Sequence, residues 1–133
     1  SDVCSSDLEL LAKSIKTGGL ILIGEPYWRQ IPTTQEIAQA CGASSISDFL
    51  TLSELVVSFD NQGYDLVEMV LADQEGWDRY EAAKWMTMRR WLDKNSADDF
   101  AQEIRTELTI APKRHVSFTR EYLGWGVFVL IAR

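Results

Sequence analysis

Apolar residues fall into two kinds of pattern along this chain, short continuous runs and stripes at three- and four-residue steps. The first run, Leu20-Ile21-Leu22-Ile23-Gly24, is patterned like a strand buried on both faces, which points to a parallel sheet in an α/β protein. Residues 9–16 before it read as the last turns of a helix, with Leu10, Leu11 and Ile15 on one side. Lys16 suits a helix C-terminus, and Gly18 or Gly19 can take the left-handed cap. Residues 25–32 follow as a polar and aromatic loop held open by Pro26 and Pro32. Thr33 or Thr34 then caps a short helix through Cys41, ended by Gly42. Residues 44–47 are a loop, and Asp48 opens a short turn.

A second helix is expected over residues 53–62, with Leu52, Leu55, Val56 and Phe59 at helical spacing and Gly63 closing it. Residues 64–71 read as a strand in which Glu68 is the polar exception, placed at an exposed edge. The longest helix covers residues 76–92, where Trp77, Tyr80, Lys84, Trp85, Met88, Trp91 and Leu92 share a stripe. Trp85, Met88 and Trp91 are read as packing. Asn95 or Ser96 caps the next helix, with Phe100, Ile104 and Leu108 as its buried stripe and Pro112 as its stop. Residues 124–132 form the last strand. Helix, glycine and strand recur in that order, as in α/β units.

The first eight residues change what the rest can mean. Ser1-Asp2-Val3-Cys4-Ser5-Ser6-Asp7-Leu8 reads as the translation of a short-read sequencing adapter, TCA GAC GTG TGC TCT TCC GAT CT. Residues 1–8 are therefore set apart from fold reasoning, and a gene fragment of metagenomic type is expected to begin near Glu9. Without Asp2 and Asp7 the formal charge moves from −7 to −5, still acidic. No basic cluster is present to neutralise several phosphates, which disfavours nucleic-acid binding. The longest strongly apolar run, residues 127–132, is too short to span a bilayer. With Cys4 set aside only Cys41 remains, which fits a cytoplasmic setting without disulfides. Five Trp, four Tyr and five Phe in 133 residues, several beside Gly or charges, suggest a pocket as well as a core.

Four segments together carry a family resemblance. Lys16-Thr17-Gly18-Gly19-Leu20-Ile21-Leu22-Ile23 resembles the "LKPGG" turn and fifth strand of class I S-adenosylmethionine-dependent methyltransferases, with Thr17 in place of proline. Gly63-Tyr64 and the strand after it resemble the entry to that family's sixth strand. Gly76-Trp77-Asp78-Arg79-Tyr80 resembles the "W-x-x-Y" helix start, and Tyr122-Leu123-Gly124-Trp125-Gly126-Val127-Phe128-Val129 the "YYGYTFFI"-type seventh strand. The resemblance covers residues 9–133 but only the C-terminal, substrate-side half of the family's Rossmann-like domain. It implies an α/β fold with a three-strand mixed sheet (strands five, seven, six) and flanking helices. The family's Gly-rich cofactor loop has no counterpart here: Gly18-Gly19 precedes a strand instead of following one. Cofactor-binding residues are thus expected to be none, metal ligands none, and S-adenosylmethionine to belong to the intact protein.

On the implied topology, strand seven runs antiparallel between strands five and six. One sheet edge then gathers residues 25–29, 73–80 and 122–125. Glu25, Tyr27, Trp28, Arg29, Trp77, Tyr80, Tyr122 and Trp125 are the candidate substrate-binding residues. Tyr27 and Trp28 would stack on a flat acceptor, with Glu25 or Arg29 as an oriented polar contact; packing aromatics are the alternative, and for Trp77 and Tyr80 at the head of the long helix packing is the preferred reading. No catalytic residue is assigned. If the acceptor must lose a proton, Glu25, His115 and Asp78 are the candidate bases, with His115 expected at the surface beside Lys113 and Arg114. Cys41 has no histidine near it in sequence to make it a nucleophile. The expected activity is methyl transfer to a small-molecule acceptor in the intact protein, with this chain inactive alone. A non-catalytic α/β binding module and another doubly wound enzyme are the alternatives.

Overall fold

The computed structural model describes residues 18–133; the adapter reading and the helix expected over residues 9–16 lie outside them. Three strands form one sheet in the order β1-β3-β2, with β1 spanning Leu20–Trp28, β2 Tyr64–Leu71 and β3 Leu123–Ala132. β3 runs antiparallel to both neighbours, from Leu20 opposite Ile131 to Trp28 opposite Leu123 on one side. This is the expected five-seven-six arrangement. The helices are α1 (Gln35–Ala40), α2 (Leu52–Asn61), α3 (Gln74–Lys94) and α4 (Ala101–Arg114).

Local chemistry explains most of these boundaries. Thr34 Oγ1 accepts from Ile37 N at 3.2 Å and starts α1. Thr51 and Glu54 close a reciprocal capping box on α2, where Thr51 Oγ1 accepts from Glu54 N (3.2 Å) and Glu54 Oε1 accepts from Thr51 N (3.0 Å). The bond from Thr51 N, aided by the Thr51 hydroxyl, also holds the Glu54 carboxyl below its usual range. Asp73 caps α3 by accepting from Gly76 N at 2.7 Å. Asp48 accepts from Ser44 N at 2.7 Å and shapes the 3₁₀ turn Ile46–Asp48.

One sheet face packs on α2. Ile21, Tyr27, Leu55, Phe59, Tyr64, Phe128 and Leu130 make this core, with Phe59 edge-tilted on Phe128 at 5.3 Å. A second cluster, Trp28, Ala38, Cys41, Ala43 and Leu123, joins α1 to the end of the sheet, flanked by Trp77, Phe118 and Tyr122.

Five expectations are corrected. Residues 25–28 belong to β1 rather than to an open loop, because Tyr27 and Trp28 keep the alternation that sends one ring into each cluster. The run at Leu20 is not buried on both faces: Leu20 and Leu22 are 64% and 67% exposed while Ile21 is buried. Pro112 does not end its helix. The rod continues from α4 through a π-turn at His115–Thr119 and a last α-turn at Arg120–Tyr122. Proline removes one donor and crowds the preceding turn, and the wider π-turn begins three residues after it. Burial of His115 and packing of Phe118 on the second cluster favour continuing the rod. Within α4, Ile104 and Leu108 are half-buried, whereas Phe100 is 64% exposed. The helix starts at Ala101 instead of after Asn95 or Ser96.

Candidate functional site

A cleft of about 730 Å³ opens between the sheet and the α3–α4 pair. Pro26, Leu123 and Trp125 form its sheet side, and the end of α1 at Gln39–Gly42 closes one flank. α3 contributes Gly76, Trp77, Tyr80, Glu81 and Lys84, and the second rod contributes Ala111, Arg114, His115 and Thr119. Helical spacing stacks Trp77 on Tyr80, with ring centroids 5.8 Å apart and planes within 7°. Lys84 Nζ lies 4.6 Å from the centre of the Tyr80 ring. The Trp125 indole lies over β1, where a side chain on Gly24 would stand 2.6 Å from its Cζ2.

His115 is the polar centre of this wall. It is 2% exposed, and its Nε2 lies 2.8 Å from Asp78 Oδ1. Arg120 Nε donates to the same carboxylate at 3.1 and 3.2 Å. The bond to His115, aided by Arg120, holds the Asp78 carboxyl below its usual range. An ionised carboxylate can only accept, so Nε2 carries a hydrogen, and the tautomer this bond selects has its lone pair on Nδ1. Trp77 and Trp85 meet the imidazole edge-on at 6.4 and 5.9 Å. His115 Nδ1, Trp77 Nε1 and Trp85 Nε1 are buried and have no hydrogen-bond partner, as is Gln74 Oε1. Natively folded chains leave few such atoms; His115 and Trp77 line the cleft, whereas Gln74 lines the separate groove beside Arg29.

The sequence candidates divide. Trp77, Tyr80 and Trp125 come together on the cleft. Tyr27 and Trp28 do not stack outward: Tyr27 lies in the α2 core, and Trp28 Nε1 donates to Ile46 O at 2.8 Å while its ring meets Phe49. Burial raises the Tyr27 hydroxyl pKa. Glu25 is buried within β1 opposite Gly126. Arg29 points to a separate groove, where its Nη1 donates to Arg120 O at 2.6 Å. Tyr122 packs on the second cluster, and its carbonyl accepts from Arg29 N at 2.7 Å.

The expected surface position of His115 is corrected, since Asp78 and the two indoles hold it inside. Its pairing with Asp78 spans 37 residues and has no local sequence signal. Cys41 lines the cleft, and burial pushes its thiol up to about 11, so it stays protonated at neutral pH. Among the described residues no group of three or more His, Cys, Asp or Glu could hold a metal ion, and no helix is long and apolar enough to cross a membrane.

Sheet order and flanking helices match the corresponding part of solved S-adenosylmethionine-dependent methyltransferases, over about half of those chains. A methyltransferase of this class from Geobacter sulfurreducens, solved in complex with S-adenosyl-L-homocysteine, is 63% identical with a TM-score of 0.92, over 97% of this chain and 52% of that one. One from Thiobacillus denitrificans, in complex with the same molecule, is 60% identical with a TM-score of 0.91 over 97% and 52%. The uncharacterized protein YjhP of Escherichia coli strain K12 is 74% identical over 125 residues, 94% of this chain and 50% of that protein. Its X-ray structure gives a TM-score of 0.87. No family model matches the chain. The chain spans about half the length of the relatives it matches.

Proposed function

We propose that this chain supplies the acceptor-binding, C-terminal half of an S-adenosylmethionine-dependent methyltransferase that acts on a small molecule. The observation that carries the reading is the identity of 63% and 60% to methyltransferases solved with S-adenosyl-L-homocysteine. The described residues fit an acceptor better than a nucleoside cofactor. Neither strand-to-helix turn, residues 29–34 after β1 or residues 72–73 after β2, contains a glycine that would let backbone approach a cofactor. The cleft instead offers aromatic faces and a few polar atoms, the usual make-up of a small-molecule site.

When bound, the cofactor supplies a methyl group already activated by its sulfonium. The protein's part is alignment and exclusion of water. Trp77, Tyr80 and Trp125 hold the acceptor's flat face, and the buried His115 side sets its orientation. On this reading the chain alone is inactive.

Calorimetry with S-adenosyl-L-homocysteine tests both halves of the proposal. The 133-residue chain alone should give no binding heat. A chimera in which residues 9–133 replace the matching part of the Geobacter sulfurreducens enzyme should bind it. Tight binding by the chain alone would overturn the division into halves. A folded chimera that does not bind would overturn the methyltransferase reading and leave a non-catalytic module.

A further inference from the structure

We propose that the cleft takes a small, uncharged aromatic alcohol whose hydroxyl donates to His115 Nδ1, and that this nitrogen takes up the hydroxyl proton. The inference deepens the methyltransferase reading and rests on it for calling the alcohol the methyl acceptor.

Three observations lead there. First, His115 is 2% exposed, lines the cleft, and has its Nε2 committed to Asp78, yet Nδ1 has no partner. A buried acceptor left unmade is costly, so a donor is called for at that atom. Second, Trp77, whose ring centre lies 6.4 Å from that of His115, carries a buried Nε1 donor that lacks an acceptor. A hydroxyl is the small group that donates and accepts at once, and so answers both atoms. Third, the charges on the rim are already matched: Lys84 pairs with Glu81 at 3.1 Å and Arg114 with Glu107 at 2.7 Å. A phosphate or carboxylate ligand would have to compete with those carboxylates. The stacked Trp77–Tyr80 pair and the apolar walls at Ala40, Ala72 and Ala111 favour a flat, neutral body.

The proton step balances within these groups. The O–H bond breaks, its electron pair stays on oxygen, and the proton forms an N–H bond at Nδ1. The resulting imidazolium is held through Nε2–H by the Asp78 carboxylate, which keeps its own charge. Asp78 is a positioning residue, because it selects the ring tautomer that leaves Nδ1 free.

His115 is the sole histidine, so its ring nitrogens can be followed by NMR in the whole chain without assignment ambiguity. The probes are 1-naphthol and 1-methoxynaphthalene, which differ by the donated hydrogen. Binding is read from tryptophan fluorescence and from the Nδ1 resonance. We expect 1-naphthol to bind about tenfold more tightly and to move the Nδ1 signal. His115→Phe should abolish the preference. Should that variant fail to fold, Asp78→Asn serves, since its amide can donate to Nε2, place the hydrogen on Nδ1 and erase the preference. Equal binding of the two probes, no binding of either, or a preference that survives these substitutions would each overturn the proposal and leave water as the partner of Nδ1. No methyl donor is present, so the outcome is independent of the chimera. A preference without cofactor binding by the chimera sinks the methyltransferase reading alone, and the reverse sinks this one alone.

Discussion

At Gly124 the absence of a side chain decides where an aromatic ring can lie. A Cβ there would stand 2.6 Å from Tyr27 Cε2, inside any tolerable contact. Tyr27 is 5% exposed and packed among Leu55, Phe59 and Phe128, so its ring has no direction in which to yield. Gly124→Ala should therefore destabilise the chain by about 2–3 kcal/mol through overpacking, measured as a lowered urea midpoint at unchanged slope. An unchanged midpoint would mean that β3 can shift away from β1. Close approaches of this sort were visible in sequence only as a Gly-Trp-Gly pattern. Which glycine accommodates which ring depends on the register, Tyr27 opposite Gly124 and Pro26 opposite Trp125. The same holds for the site: Trp77 and Tyr80 were legible as neighbours at helical spacing, whereas the partner of Asp78 was not.

Elements with their own capping chemistry were the most legible. β2 at Tyr64–Leu71 matches its expected bounds, and α2 differs by one residue at each end. Its cap gives a test. Thr51→Ala should cost about 1 kcal/mol, read from thermal or urea unfolding, because Leu55 and Phe59 tie this helix to the core. Glu54 adds a pH dependence of known sign. Its folded pKa is lowered, so its contribution is complete above the ordinary glutamate range and is lost as pH falls through the depressed value. Glu54→Ala should thus differ from the parent chain most at neutral pH, and the gap should close in acid. A gap that widened in acid would show that the carboxylate is not the capping form. The α4 rod is less legible. Propensity alone stops a helix at Pro112, but burial of His115 three residues later outweighs the lost hydrogen bond.

Across the whole molecule, the sheet buries one face on α2 and leaves part of the other open. Leu20, Leu22 and Val70 are 64%, 67% and 60% exposed, and β1 and β2 are the two edges of the described sheet. Such a surface invites pairing between copies, so the chain should self-associate in sedimentation at rising concentration, and Leu22→Lys should reduce it. A parent chain that stays monomeric would refute this. Sequence by itself determined the order of elements, most of their ends, and the sheet order implied by the family resemblance. These depend on contacts within a few residues, or on motifs whose spacing survives as text. Tertiary structure alone decided that Tyr27 and Trp28 pack inward, that the rod runs past Pro112, and that His115 is buried against Asp78. Each of those outcomes depends on atoms far apart in the chain meeting in an interior whose shape no local pattern encodes.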